Sequence, residues 1–331
     1  MAQGMSDLSA QFRPTQSDSV RSIESEMRDE LVHADAMVGT IAPILRHLLA
    51  NSEHSLFSDE ILASMRGMLA DVARQLLDAR SGEGEGAAPG QHSSVEIQAL
   101  IDGFAVQQGF LAHAHGLALE WQLTQRLQAR LSLDPVLSPL LQALIASTEP
   151  PVAASAMALL AAQARFAQNQ RRMHLPLGEL PGDLLHAALV ALRGTVGDDP
   201  EAAARIAAAE QRIRDSYNES RTRLGLISRL VLGMGGGAMA ALSVTHAGVA
   251  IFLSALALGS GQDRDLATLA TNESQVARLA LALAAAGLKP QAIEEQFAAI
   301  HPEVTLPEGF EQLGADRAAA LLARSVAMAG G

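Results

Sequence analysis

The chain reads as an all-α protein of stacked helical hairpins, and three observations carry that reading. Of its 331 residues 49% are hydrophobic but only 3% are aromatic, with a single Trp121 and a single Tyr217. Ala and Leu supply most of the apolar content, and both favour helix over strand. Stretches such as Ala202-Ala203-Ala204-Arg205-Ile206 and Leu279-Ala280-Leu281-Ala282-Leu283 show no alternation of apolar and polar residues, so no strand period is present.

Composition also narrows function. A net charge of −12 opposes nucleic-acid binding, because phosphate contacts need concentrated Lys and Arg. Lys289 is the only lysine among 24 basic residues, which matches an Arg-favouring, GC-rich bacterial codon bias. Without cysteine the fold rests on packing alone, with no disulfide or zinc thiolate. Residues Met1 to Val20 are polar and carry Asp7 and Asp18, unlike a secretory signal, so a cytoplasmic protein is expected.

Taken in order, residues 1–16 are expected to be disordered. From Val20 the apolar positions Ile23, Met27, Leu31, Ala34, Val38, Ile41, Leu45 and Leu48 fall three or four apart, on one helical stripe. Pro43 is expected to break or kink this helix near Gly39-Thr40. Ser58 is a candidate N-cap for a second helix with the stripe Leu62, Met65, Leu69, Val72, Leu76. Residues 17–80 therefore form an amphipathic hairpin; the same spacing also serves a homodimer through residues 20–76.

Residues 81–92, rich in Gly and Glu, read as a flexible linker that separates the hairpin from a helical array over 93–331. Ser93 and Glu96 have capping-box spacing and open a long helix towards Arg130. Asp134-Pro135 and Asp199-Pro200 each place a capping Asp before a first-turn proline. Glu149-Pro150-Pro151, Leu180-Pro181 and Lys289-Pro290 punctuate in the same way.

Leu230 to Gln262 runs for 33 residues without Asp, Glu, Lys or Arg. A bilayer span needs about 20 mostly apolar residues, and Arg212, Arg214, Arg221, Arg223 and Arg229 would supply a cytoplasmic basic flank. Against a span stand the glycines at 235, 236 and 237, the polar Thr245 and His246, and the abundance of Ala. A buried helix pair turning near Ser243-Thr245, with its second helix from His246 to Leu258, is the preferred account.

Phe252-Leu253-Ser254-Ala255-Leu256-Ala257, followed by Ala277-Arg278-Leu279-Ala280 and Ala286-Gly287-Leu288, resembles part of a known group. That group is the HEAT-like helical-repeat proteins of unknown function found in alphaproteobacteria. The resemblance covers residues 225–325 and implies a helical array with no known catalytic residues.

Candidate chemistry is sparse. Gly233-Met234-Gly235-Gly236-Gly237-Ala238 fits the dinucleotide pattern G-x-G-x-x-A, but the next acid, Asp263, lies too far on and no βαβ unit surrounds it. A helix-to-helix turn is the better reading. Glu30 and His33, with Glu26 one turn earlier, make a lone Glu-x-x-His where a di-iron bundle needs two. His113 and His115 are two apart, so on a helix they cannot share a metal; one is expected in the core and one in water. Arg165, Arg171 and Arg172 sit at a polar helix end and are the only partner-binding candidates.

The expectation is a non-enzymatic scaffold or adaptor acting on a protein partner, with no cofactor, metal or nucleic acid. Its alternative is a membrane-associated protein anchored through residues 230–262.

Overall fold

In the computed structural model, described for residues 16–50, 59–81, 92–196 and 199–329, every regular element is a helix. The α-helices are α1 (Gln16–Ala50), α2 (Asp59–Ser81), α3 (Ser94–Val106), α4 (Gln108–Leu131), α5 (Pro139–Ile145), α6 (Pro150–Arg171), α7 (Gly182–Gly194) and α8 (Pro200–Ser216). They continue with α9 (Arg223–Gly233), α10 (Val244–Ala247), α11 (Val249–Ser260), α12 (Arg264–Leu269), α13 (Val276–Ala285), α14 (Pro290–Ile300) and α15 (Ala315–Ala329). Short 3₁₀ segments fill several joins, the longest being Gly235–Leu242. The expected disorder of the first residues, the Ser58 cap and most of the 81–92 linker fall outside the described residues.

The α2 stripe is buried as its spacing demands, and the described part of the α1 stripe is buried except at Val38 and Ile41, which are half-buried. Ile23, Met27, Leu31, Ala34 and Leu45 of α1 are inside, as are Leu62, Met65, Leu69, Val72 and Leu76 of α2. Of the break or kink expected at Pro43, the break does not occur: α1 runs on through Pro43. A proline removes a single backbone bond and kinks rather than ends a helix when packing holds both sides; buried Leu31, Ala34 and Leu45 bracket it.

The long helix expected from Ser93 to Arg130 is two helices. Its start is as predicted, since the Ser93 side chain accepts from Glu96 N while Glu96 accepts from Ser93 N. The break falls at Gln107, whose extended backbone (φ −85°, ψ 104°) lets Phe104 of α3 stack on Phe110 of α4 at 4.8 Å. Two apolar rings gained across the bend favour the broken form.

Asp134 also departs from expectation. Its carboxylate accepts from the amides of Val136 and Leu137, but these close a turn, not a helix start. The helix begins at Pro139 under Ser138, whose hydroxyl accepts from Leu141 N. Asp199-Pro200 behaves as expected, capping α8 through Glu201 N. Pro150 and Pro290 likewise occupy first turns of α6 and α14.

Two apolar cores result. One gathers α11 and α13 with Phe252, Leu253, Leu256, Leu279, Leu281 and Leu283; the other gathers α2, α3 and α7 with Met65, Leu69, Leu76, Phe104 and Leu189. Two long helices feed both. α1 gives Met27 and Leu31 to the first core and Leu45 to the second, while α4 gives Leu127 to the first and Phe110 to the second. α1 also meets α15, and Arg278 of α13 pairs with Asp35 of α1. In a solenoid each repeat touches only its neighbours; here the first helix meets the last.

The uncharged run is interior over Val249–Ala257 and exposed over much of residues 232–240, and it turns differently than expected. After α9 the chain coils through Gly235–Leu242 and α10, and the corner falls at Gly248 with φ +75°. A Cβ on Gly248 would lie 3.0 Å from Ser138 Cβ, so conformation and space both demand glycine there. α11 follows, with every residue from Val249 to Ala257 buried. A helix apolar on all sides must be enclosed. Among the described residues, no helix is long and apolar enough to cross a membrane.

The contacts of α2 bear on proteolysis. Mild protease is expected to cut first in the Gly- and Glu-rich 81–92 segment. Because α2 packs on α3, α4 and α8, the two pieces should stay together on gel filtration and separate only in denaturant. Cuts scattered over Asp134 to Arg193 would contradict this.

Candidate functional site

The strongest concentration of chemistry lies where α4 passes between α6, α9 and α12. Glu120 projects from the middle of α4 and is fully enclosed. Two arginines reach it, each from the first residue of its helix. Arg223, opening α9, donates from Nη1 to Glu120 Oε1 at 2.6 Å and from Nη2 to Oε2 at 3.0 Å. Arg264, opening α12, donates from Nη2 to Oε2 at 2.9 Å. Thr222 caps α9 by accepting from Gly225 N, which fixes where Arg223 starts. Gly225 is needed there, since a Cβ would come within 2.2 Å of Glu219 O.

Further bonds orient the guanidinium groups. Arg223 lies over the Phe166 ring at 3.6 Å and reaches Gln163 Oε1 at 3.4 Å, and its backbone N–H donates to Glu179 Oε2 at 2.7 Å. Arg264 Nε donates to Ser254 Oγ of α11 at 2.9 Å. Burial alone would raise the Glu120 pKa, but the two guanidinium groups pull it down to about 2. The carboxylate is therefore ionised and fully committed. Chemically this is a clamp: it binds three helices, α4, α9 and α12, through one charge and leaves no free base.

Beside it stands a second pair. His113 Nδ1 lies 3.4 Å from Asp265 Oδ2. Burial acts to raise Asp265, but its bond to His113 and the nearby Arg264 hold it below the usual carboxylate range. Here the structure corrects the sequence: His113 and His115 are both buried, not one in and one out. α4 is covered on opposite faces, by α12 and α11 on one hand and α2 and α3 on the other.

The remaining candidates stand apart. Glu26, Glu30 and His33 lie on the exposed face of α1. The G-x-G-x-x-A stretch spans the end of α9 and the following 3₁₀ coil, with a helix before it. Arg165, Arg171 and Arg172 are exposed at the end of α6, with Arg171 6.0 Å over the ring of Trp121. The basic flank of the uncharged run is spent internally at several points: Arg223 on Glu120, Arg212 on Ala79 O, and Arg229 on Ser220 O.

Sequence reading missed Glu120, Arg223 and Arg264 as a set. A signal was present, because Glu120 is the only Asp, Glu, Lys or Arg between Asp102 and Arg126. A lone charge in a long apolar helix is excluded from the interior unless paired.

Two buried histidines give the fold an acid limit. Burial lowers His115 to about 4, with Asp265 opposing. His301 is also lowered, by burial and then by Arg126. Below about pH 6.5 the unfolded chain takes up protons that the folded chain refuses, so stability falls with pH. The loss should run from about pH 6.5 to 4 and reach on the order of 3 kcal/mol for His115 alone. Urea midpoints measured across this range should fall on acidification, and His115→Gln should flatten the slope. A midpoint that is constant or rising towards pH 4 would contradict this.

Comparison with protein families, with curated proteins and with solved structures finds no match to this chain.

Proposed function

We propose that this protein is a non-enzymatic helical scaffold or adaptor that binds another protein. The observation that carries the reading is a charge-free stretch left on the surface. Leu232 and Met239 are exposed at either end of the glycine-rich 232–240 segment, with Leu258 of α11 also exposed. Exposed apolar side chains on a segment without charges suit contact with another protein, and methionine adapts to varied partners. The inner charges, by contrast, are consumed in structural pairing, which leaves no general base on Glu120.

Arg165, Arg171 and Arg172 belong to the same proposal as a cationic rim suited to an acidic segment of the partner. So does the HEAT-like resemblance over residues 225–325, supported by the packing of α13 on α14 and α15. The runner-up, membrane attachment through residues 230–262, draws on the same exposed Leu232 and Met239.

Capture from host extract on the immobilised full chain tests the proposal. A specific protein should be retained by the wild type and lost with Leu232→Glu/Met239→Glu, while the variant keeps its helical content. Capture unaffected by that variant and by Arg165→Glu/Arg171→Glu/Arg172→Glu would refute the surface assignment. Sedimentation of the chain with lipid vesicles, lost in the same variant, would replace the protein partner with a membrane.

A further inference from the structure

A small cavity separates α4 from α6, α9 and the connection after α6, with His113, Phe166, Asn169, Gln170, Glu179 and Arg223 on its walls. Three of these side chains are almost wholly buried, and among them are His113 at 2% and Gln170 at 4% exposure. These two each carry an atom without a hydrogen-bond partner, His113 Nε2 and Gln170 Oε1.

The other end of each group is already committed. His113 Nδ1 faces the Asp265 carboxylate at 3.4 Å. A carboxylate accepts only, so Nδ1 carries a ring proton, and in the neutral ring Nε2 is then a lone pair. Gln170 Nε2 donates to Met68 Sδ at 3.6 Å, which assigns the carbonyl as the unsatisfied end. Both open atoms are thus acceptors, and neither can satisfy the other. An acceptor taken from water and left bare costs more than an ordinary hydrogen bond returns.

We infer that this cavity is a binding site for a small donor of two protons, a single water molecule that donates to His113 Nε2 and Gln170 Oε1 together. The space admits about one water, and polar partners of the right kind line it. The wall carries both the Arg223 guanidinium and the Glu179 carboxylate, so a cation of similar size is the alternative that the test must separate. The consequence is structural continuity. Asp265 of α12, His113 of α4, the water, Gln170 of α6 and Met68 of α2 form one chain of polar contacts that links four helices.

Four measurements on the intact chain test this. A high-resolution crystal structure should show a density peak within hydrogen-bonding distance of both atoms. Nitrogen NMR of His113 should report a protonated Nδ1 and an unprotonated, hydrogen-bonded Nε2. In a double-mutant cycle, His113→Phe and Gln170→Met should each lower the folded-to-unfolded ratio by about tenfold, and together by clearly less than the product. A direct His113–Gln170 bond, an empty cavity, or effects that simply multiply would overturn the proposal. Saturable stabilisation by ammonium chloride beyond that of sodium chloride would overturn it in favour of a bound cation.

Discussion

Replacing Glu120 with Leu should destabilise the protein by about 3–5 kcal/mol, because it strands two guanidinium groups in the interior. Arg223 is buried and Arg264 nearly so, and both direct their donors at the lost carboxylate. A loss of that size approaches the whole stability of an ordinary domain, about 5–15 kcal/mol. The variant should unfold at markedly lower urea or fail to accumulate. The triple change Glu120→Leu/Arg223→Met/Arg264→Met should recover much of the loss, since well-packed apolar replacements of a buried ion cluster are often neutral. If Glu120→Leu costs under about 1 kcal/mol, the clamp is not as enclosed as described. Capture of a partner by the triple variant should match the wild type, because the clamp positions helices and touches no partner.

Phe252→Asp should be nearly as severe. Phe252 sits at the end of the first turn of α11 and is fully buried, in a helix whose residues from Val249 to Ala257 are all buried. The substitution removes a packed ring and leaves an unpaired carboxylate, together costing several kcal/mol. Phe252→Leu, which keeps apolar volume, should cost far less. Equal, mild effects of the two changes on the urea midpoint would contradict burial of this helix.

Much of the fold was legible, because helix periodicity is local. The stripes of α1 and α2, the capping box at Ser93 and the Asp199-Pro200 start each depend on residues within about a turn or two of each other. What escaped depends on distant partners. The break at Gln107 follows from the stacking of Phe104 on Phe110, and unbroken α1 follows from packing on either side of Pro43. The burial of both His113 and His115 reflects how α4 is sheathed, which no window of α4 reveals. The clamp is the extreme case: its members lie 103 and 144 residues apart in sequence. The exposed Arg165, Arg171 and Arg172 were legible as a helix end, but what they meet was not written in the chain.

The second half of the charge-free run, α11, folds inward as the centre of a helical core, while residues 232–240 stay at the surface. Hydrogen exchange on the intact chain, in buffer without detergent or lipid, tests it most directly. The amides of Phe252, Leu253 and Leu256 in α11, with Leu281 and Leu283 in α13, should be among the slowest to exchange and should open only with global unfolding. Rapid exchange of α11 in buffer, with protection appearing only on addition of lipid or detergent, would contradict it.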